Sequence, residues 1–124
     1  MPITHIVPII KVTDIRASLG FYCAGLGFTK DFEFAAGERG PHYAGLSFGG
    51  HRLHLSSFPG DGVTGTATYC YVDDVDALHT GFAARGVAVI MEPTNQSWGM
   101  REVYVADPDG NVMRFGCPIE PATR

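Results

Sequence analysis

The sequence VTDIRA at residues 12–17 returns 60 positions later as VDDVDA at residues 72–77. In both copies an apolar run leads into the first valine, and the aspartate two positions later can cap a helix. Hairpin positions repeat at the same offset: Gly50 with Gly110, Leu53 with Met113, and Leu55 with Phe115. Because the paired positions share a structural role, the sequence predicts two diverged copies of one β-α-β-β-β unit.

The first copy carries strand and helix signals in that order. A helix is expected from Asp14 to Gly25, with Gly25 and Gly27 suited to a left-handed stop. The Gly49-Gly50 pair is typical of a two-residue hairpin turn. The predicted strands are residues 4–12, 28–34, 42–48 and 51–57, and Pro8 indicates an edge strand or a bulge in the first of them.

The second copy repeats this order. A helix is expected from Asp73 or Asp74 to Arg85, and residues 107–110 (DPDG) are a strong turn signal. A loop over residues 92–100 holds the only tryptophan. The predicted strands are residues 66–72, 87–91, 101–106 and 111–115. We expect one domain with module 1 at about 1–58, a linker at 59–65, module 2 at about 66–117 and a tail at 118–124.

Composition narrows the function classes. The chain has 124 residues and a net charge of −4 without a basic cluster, which argues against nucleic acid as a partner. No apolar run approaches the roughly 20 residues of a membrane span, and the N-terminus does not resemble a secretory signal, so we expect a cytoplasmic protein. Three scattered cysteines, Cys23, Cys70 and Cys117, predict neither a disulfide framework nor a zinc site.

Two stretches resemble a known family. Val12 to Tyr22 followed by Leu26-Gly27-Phe28 is similar to the opening of glyoxalase/bleomycin-resistance proteins, which belong to the vicinal oxygen chelate superfamily. Trp98 to Asn111 resembles the closing strand and turn, so that the resemblance covers nearly the whole chain. It implies an α+β fold of two tandem βαβββ modules whose curved mixed sheets enclose a ligand cavity. It also implies a homodimer, often with a cavity shared between chains.

The resemblance leaves the activity open, because relatives include metal-dependent isomerases and dioxygenases as well as metal-free antibiotic-sequestering proteins. In metal-dependent relatives, matching strand positions hold His, Glu or Gln. In this sequence they fall on Val7, His54, Ala67 and Arg114. Only the histidine is a plausible ligand, whereas catalytic metal sites usually have about three protein ligands. We therefore expect no metal and no cofactor.

A shift of two positions in that alignment keeps strand parity and leaves an alternative open. It would bring His5 together with His54 and Glu102, a set suited to a divalent ion. The protein would then be a metal-dependent lyase, isomerase or dioxygenase. A third possibility is a regulatory or accessory module.

Strand alternation predicts which side chains face the cavity. These are His5, Val7 and Ile9, then Arg52, His54 and Ser56, then Tyr69 and Tyr71, and finally Val112 and Arg114. The opposite parity should pack beneath the helices: Ile6, Ile10, Leu53, Leu55, Cys70, Val72, Met113 and Phe115. A wall of imidazole, phenol and guanidinium groups can stack, donate hydrogen bonds and attract anions.

These patterns favour a metal-free small-molecule binder that acts by sequestration, with no catalytic residue. The candidate ligand-binding residues are His54, Tyr69, Trp98, Glu102, Arg114, Tyr43 and His5. Trp98 could be a stacking lid or a staple to the core, and Arg114 could face the ligand or pair with Glu102 on the neighbouring strand. A cationic drug such as bleomycin calls for acidic walls, which Arg114 does not provide, so the ligand could be another compound.

Overall fold

Two four-stranded mixed sheets form the framework of residues 1–119, the part of the chain that the computed structural model describes. The first sheet has the order β1-β4-β3-β2, and the second has the order β5-β8-β7-β6. The strands of the first sheet are β1 (Ile9–Lys11), β2 (Thr29–Ala35), β3 (His42–Phe48) and β4 (His51–Ser56). Those of the second are β5 (Ala67–Tyr71), β6 (Val89–Asn95), β7 (Met100–Ala106) and β8 (Val112–Pro118). The α+β architecture of two tandem modules is therefore confirmed.

The strand register repeats with the sequence. In the parallel pair β1–β4, Ile9 lies opposite His54. In the parallel pair β5–β8, Tyr69 lies opposite Arg114. Each residue of the second pair follows its counterpart by 60 positions. The offset therefore corresponds to equivalent places in two copies of the same sheet. The module boundaries expected at residues 58 and 66 stay a prediction.

Both helices begin at the aspartates that the repeat singled out. The Asp14 carboxylate accepts from the backbone N–H groups of Arg16 (3.0 Å) and Ala17 (3.2 Å) ahead of α1 (Ile15–Leu19). Asp74, and not Asp73, caps α2 (Val75–Ala84) by accepting from Ala77 N–H at 3.0 Å. Side-chain oxygens at this position satisfy donors that the first turn leaves unpaired.

The helix expected to run to Gly25 changes character after Leu19. Gly20–Gly25 is a π-helical stretch, in which the backbone is wound more widely than in α1. Gly27 has a φ of +95° and supplies the left-handed stop. The same expectation for Gly25 was wrong, because that residue has no positive φ and packs against Val87.

The strand boundaries differ from the sequence prediction most at β1, at β6 and at β8, which continues to Pro118 instead of ending at residue 115. Residues 4–8 do not extend the first strand, which starts at Ile9; the Pro8 carbonyl accepts from His54 N–H at 2.9 Å just ahead of it. The predicted loop over residues 92–100 was too long, because β6 continues to Asn95. The register shifts between Met91 and Thr94 leave Pro93 outside the regular ladder, where its missing N–H is tolerated.

The helix-facing sides of both sheets form one apolar core. The predicted inner side chains Ile10, Leu53, Leu55, Met113 and Phe115 are all buried. Ile6 was assigned to this set wrongly, because it precedes β1 and is exposed. The other core residues are Val12, Ile15, Leu19, Tyr22, Leu26, Ala44, Leu46, Val75, Phe82, Val103 and Val105.

The second face of each sheet is open in the single chain. Large apolar side chains are exposed on the open faces and around their edges, among them Ile9, Phe32, Phe34, Tyr69, Tyr71, Ile90 and Trp98. None of the helices in residues 1–119 has the length and apolar character of a membrane span. The cytoplasmic location stays a prediction.

Candidate functional site

A buried carboxylate, Glu102 of β7, lies at the centre of the second sheet's open face. The side chain is 1% exposed. Its Oε2 accepts from the Tyr69 hydroxyl at 2.6 Å and from Trp98 Nε1 at 3.1 Å. Its Oε1 accepts from the Tyr104 hydroxyl at 2.5 Å. Three donors compensate the carboxylate for the water that burial removes.

The titration of this cluster follows from those contacts. Burial raises the pKa of the Glu102 carboxyl, but hydrogen bonds from Tyr104, Tyr69 and Trp98 outweigh it and hold that pKa below its usual range. Burial, followed by the hydrogen bond to Glu102, raises the pKa of Tyr69. The bond to Glu102 is the main reason that the pKa of Tyr104 is raised. Near neutral pH the carboxylate is therefore ionised and both phenols keep their protons.

A glycine makes the position of Tyr69 possible. Gly116 of β8 lies opposite Glu102 in the antiparallel pair β7–β8. A Cβ atom at Gly116 would be 1.9 Å from the Tyr69 hydroxyl oxygen, so any larger residue would displace the ring. The absent side chain leaves the space through which the phenol reaches the carboxylate.

Arg114 of β8 lies beside this cluster and stacks on it. Its guanidinium carbon is 4.7 Å from the centroid of the Tyr104 ring, a cation–π arrangement. Among residues 1–119, the ion pairs do not include one between Arg114 and Glu102. Arg114 thus stacks on the tyrosine without an ion pair to the carboxylate, and its charge helps to lower the pKa of Glu102. Because Arg114 is exposed, its charge is presented on the open face.

The first sheet's open face carries a second cluster, around His54 of β4. The Tyr43 hydroxyl and His54 Nδ1 are 2.8 Å apart. Phe32 stacks on Tyr43 at 6.3 Å and meets the His54 ring edge-on at 5.5 Å. Gly45 lies beneath, and a Cβ there would come within 2.0 Å of the Phe32 ring. Burial, then the nearby Arg52, lowers the pKa of His54 and favours the neutral imidazole.

An aromatic corner adjoins this cluster where the linker leaves β4. Phe34 stacks on Phe58 at 6.1 Å, and Tyr43 meets Phe58 at an interplanar angle of 62°. With Pro59 and Asp61 these rings line a cavity of about 410 Å³ that is open to solvent. Phe32, Phe34 and Asp61 were not among the residues singled out from the sequence.

The structure divides the sequence-predicted site residues between two faces. Tyr69, Trp98 and Glu102 form one cluster with Arg114 beside it, and Tyr43 and His54 form another. His5 is exposed and precedes β1. Within residues 1–119 it forms no hydrogen bond with either cluster.

The alternative metal set is not assembled within the chain. The described part, residues 1–119, brings together no group of three or more His, Cys, Asp or Glu side chains that could hold a metal ion. His5, His54 and Glu102 were expected to meet only if the alignment shifted; within residues 1–119 they form no such group, and His54 lies in the first sheet whereas Glu102 lies in the second.

Comparison with known proteins identifies the family. The family described as "Glyoxalase/Bleomycin resistance protein/Dioxygenase superfamily" matches residues 3–115. Bleomycin resistance proteins from Geobacillus stearothermophilus and Staphylococcus aureus are each 30% identical over 131 aligned positions, covering 88% of this chain and 92% of theirs.

Solved structures agree with that assignment. TnmS3, an antibiotic binding protein from Streptomyces sp. CB03234, is 31% identical with a TM-score of 0.72, covering 96% of this chain and 99% of its own. A bleomycin-binding protein complexed with bleomycin is 21% identical with a TM-score of 0.74, covering 94% and 100%; this likeness concerns the fold.

Proposed function

The chain belongs to the glyoxalase/bleomycin resistance protein/dioxygenase superfamily, and on that basis we propose that it is a metal-free antibiotic-binding protein. It would act by sequestering an aromatic small molecule without changing it. Relatives named as bleomycin resistance proteins and as an antibiotic binding protein support the binding role. The ligand-binding residues that we propose are Tyr69, Trp98, Glu102 and Arg114 on the second sheet, and Tyr43 and His54 on the first.

The arrangement around Glu102 is the observation that carries this proposal. Tyr69 and Trp98 direct their polar atoms to one buried carboxylate while the side chains are 37% and 62% exposed. Their orientation is thereby fixed before a ligand arrives, which reduces the entropy lost on binding. Flat, exposed and preoriented rings suit a ligand that stacks.

The same contacts make the side chains of this face poorly suited to acid–base catalysis. A useful general base or acid has a pKa near the working pH. Here the pKa of the Glu102 carboxyl is lowered, while the pKa values of Tyr69 and Tyr104 are raised, so all three move away from neutrality. Each carboxylate oxygen also already accepts a phenol hydrogen bond. Binding without reaction is the use that fits these groups.

A homodimer is part of the proposal. Each sheet is covered by a helix on one face, whereas exposed Ile9 and Phe34 on one open face and exposed Tyr71 on the other are left to solvent. If a second copy laid its second sheet over the first sheet of its neighbour, the two clusters would line one enclosed cavity. Exposed apolar patches of this kind are typical of interaction surfaces.

Trp98 provides the test, because it is the only tryptophan in the chain. Titration with bleomycin and with planar aromatic antibiotics is expected to quench or shift its fluorescence with at least one compound. The Trp98→Phe variant, followed by calorimetry, should bind that compound about tenfold more weakly, which corresponds to about 1.4 kcal/mol. A Val63→Ala variant in the linker should bind as the parent protein does.

Two further measurements test sequestration and the absence of metal. After overnight incubation, mass spectrometry should recover the ligand unmodified, and treatment of the protein with a chelator should leave the affinity unchanged. A modified ligand, or binding abolished by the chelator, would contradict the proposal. So would a panel in which no compound changes the Trp98 signal.

A further inference from the structure

The aromatic corner at the start of the linker combines three rings with one carboxylate. Phe34 and Phe58 stack at 6.1 Å, and Tyr43 closes the side at 6.4 Å from Phe58. Asp61 and Pro59 complete the lining of the roughly 410 Å³ cavity. The charged group in this lining is a carboxylate, so the cavity has one sign of charge and three π faces.

The position of Asp61 is fixed by the strand beside it. Its Oδ2 accepts from the Ser56 hydroxyl at 2.6 Å, and the same hydroxyl oxygen accepts from the Phe58 backbone N–H at 3.1 Å. The side chain is half-buried. Ser56 therefore holds the carboxylate and the Phe58 backbone in one arrangement.

No side chain of residues 1–119 neutralises this carboxylate through an ion pair. Lys11 lies opposite Ser56 in the β1–β4 pair, but its Nζ donates to the Phe58 carbonyl and forms no ion pair with Asp61. The charge of Asp61 reaches the cavity wall: burial and then Asp61 raise the pKa of Tyr43. The corner thus carries a negative charge that the chain itself leaves without a counter-ion in its described part.

We propose that this corner is a subsite for a protonated amine on an aromatic or apolar stem, with Asp61 as its counter-ion. The amine would lie against the faces of Phe34, Tyr43 and Phe58, and the stem would occupy the remaining apolar volume. A cation within about 6 Å of an aromatic centroid is attracted by the ring quadrupole, and more strongly where water is partly excluded. An anion would meet only repulsion from the carboxylate.

This inference rests on the proposed function, because it assigns one chemical group to the ligand that the protein would hold. It also gives the two candidate binding regions charges of opposite sign. Arg114 on the second sheet suits an acidic or electron-rich part of a ligand, whereas Asp61, in the linker beside the first sheet, suits a basic part. A ligand that spans both would carry an amine at one end and an oxygen-rich aromatic system at the other.

The experiment uses three probes that share a stem and differ in charge: phenethylamine, 2-phenylethanol and 3-phenylpropionate. Each is titrated into ¹⁵N-labelled full-length protein near neutral pH. Phenethylamine is expected to shift amide resonances of residues 58–65 and to bind about tenfold more tightly than the alcohol, with the acid weakest. The Asp61→Asn variant, whose amide can still accept from Ser56, should reduce the affinity for the amine to that for the alcohol.

The Asp73→Asn variant is the matched control, because it removes the same charge from an exposed position in the other module. It should leave the preference for the amine intact. Equal binding of amine and alcohol by the parent protein would overturn the proposal, as would an Asp61→Asn variant that weakens both probes equally.

Failure of the subsite and failure of the proposed function give different results. Loss of the amine preference with an intact Trp98 response to antibiotics would remove only the subsite. A clear amine preference with no antibiotic response at Trp98 would remove the antibiotic-binding role and leave the subsite.

Discussion

Glu102 is a residue whose charge the fold buries and then satisfies with three donors. An ionised carboxylate accepts hydrogen bonds that are stronger than those between neutral groups. We expect Glu102→Gln to lower the free energy of unfolding by about 1–3 kcal/mol, because the amide offers one acceptor oxygen instead of two. Urea denaturation measures this loss. The matched Glu92→Gln variant, at an exposed position of β6, should stay within about 0.5 kcal/mol of the parent.

The stability difference between the parent protein and Glu102→Gln should also depend on pH. Because the pKa of Glu102 is lower in the folded protein than its usual value near 4.3, its ionisation stabilises the fold above that value. This stabilisation is lost as the pH falls through the folded pKa. The stability gap between the parent and Glu102→Gln should therefore narrow as the pH is lowered from about 6 to about 3. A gap that stays constant would show that Glu102 stabilises by packing and not by charge.

Strand parity predicted Tyr69, Arg114 and His54 from the sequence, but it indicated neither Glu102 nor the partners of these side chains. It placed Tyr69 and Arg114 on the same face, as observed. Whether Arg114 pairs with Glu102 or stacks on Tyr104 depends on side-chain rotamers, which alternation does not determine. Phe32 and Phe34 were missed because no face was predicted for residues 28–34, and simple alternation would have failed there because the register of β2 shifts between Lys30 and Phe32. A bulge of this kind moves every later side chain to the other face.

At the scale of elements, the β7–β8 turn joins the two modules. Asp107 is buried, and its Oδ1 accepts from the backbone N–H groups of Asp109 and Asn111 within the turn. Its Oδ2 accepts from the Tyr22 hydroxyl of the π-helical stretch at 2.8 Å. Asn111 Nδ2 donates to the Lys11 carbonyl of β1 at 2.8 Å. A turn of the second module is thus hydrogen-bonded to two elements of the first.

Removal of one hydroxyl tests this junction. Tyr22→Phe keeps the ring in the core and deprives the buried Asp107 of one donor, so we expect a loss of about 1–3 kcal/mol. Circular dichroism during urea denaturation should show one transition at a lower midpoint, because the two modules share the junction. Tyr71→Phe deletes a hydroxyl from a side chain that is 80% exposed and should change little. Equal effects of the two variants would argue against the junction.

The turn itself was predictable, whereas its partners were not. Asp-Pro-Asp-Gly indicates a turn through local backbone preferences, which one stretch of sequence contains. Tyr22 and Lys11 precede their hydrogen-bond partners by 85 and 100 positions. Nothing in local spacing relates residues so far apart. The internal repeat came nearest, since it aligned the two modules without indicating how they touch.

For the whole molecule, the offset of 60 positions predicted the architecture because equivalent positions occupy equivalent registers. The relation of each open face to its surroundings could not be predicted in the same way. In a duplicated sequence the apolar pattern that faces the helices occurs twice. The remaining side chains of each strand are assigned to the open face only by default. What covers the open faces depends on a ligand or on a second copy of the chain. The periodicity of one chain encodes neither of them.

The proposed homodimer can be tested through Tyr71, which is 80% exposed on the second sheet's open face. Sedimentation equilibrium of the parent protein should give the mass of two chains. Tyr71→Lys would place a charge in an interface that excludes water, so we expect the dimer dissociation constant to rise at least tenfold, or about 1.4 kcal/mol. The monomer should keep its fold by circular dichroism, since the position is solvated in a single chain.

Val63→Lys is the control for this prediction, because it adds the same charge to the linker at a side chain that is 71% exposed. It should leave the dimer intact. A parent protein that sediments as a single chain would show that the open faces are not covered by a second copy, and the ligand would then have to bind to each face separately.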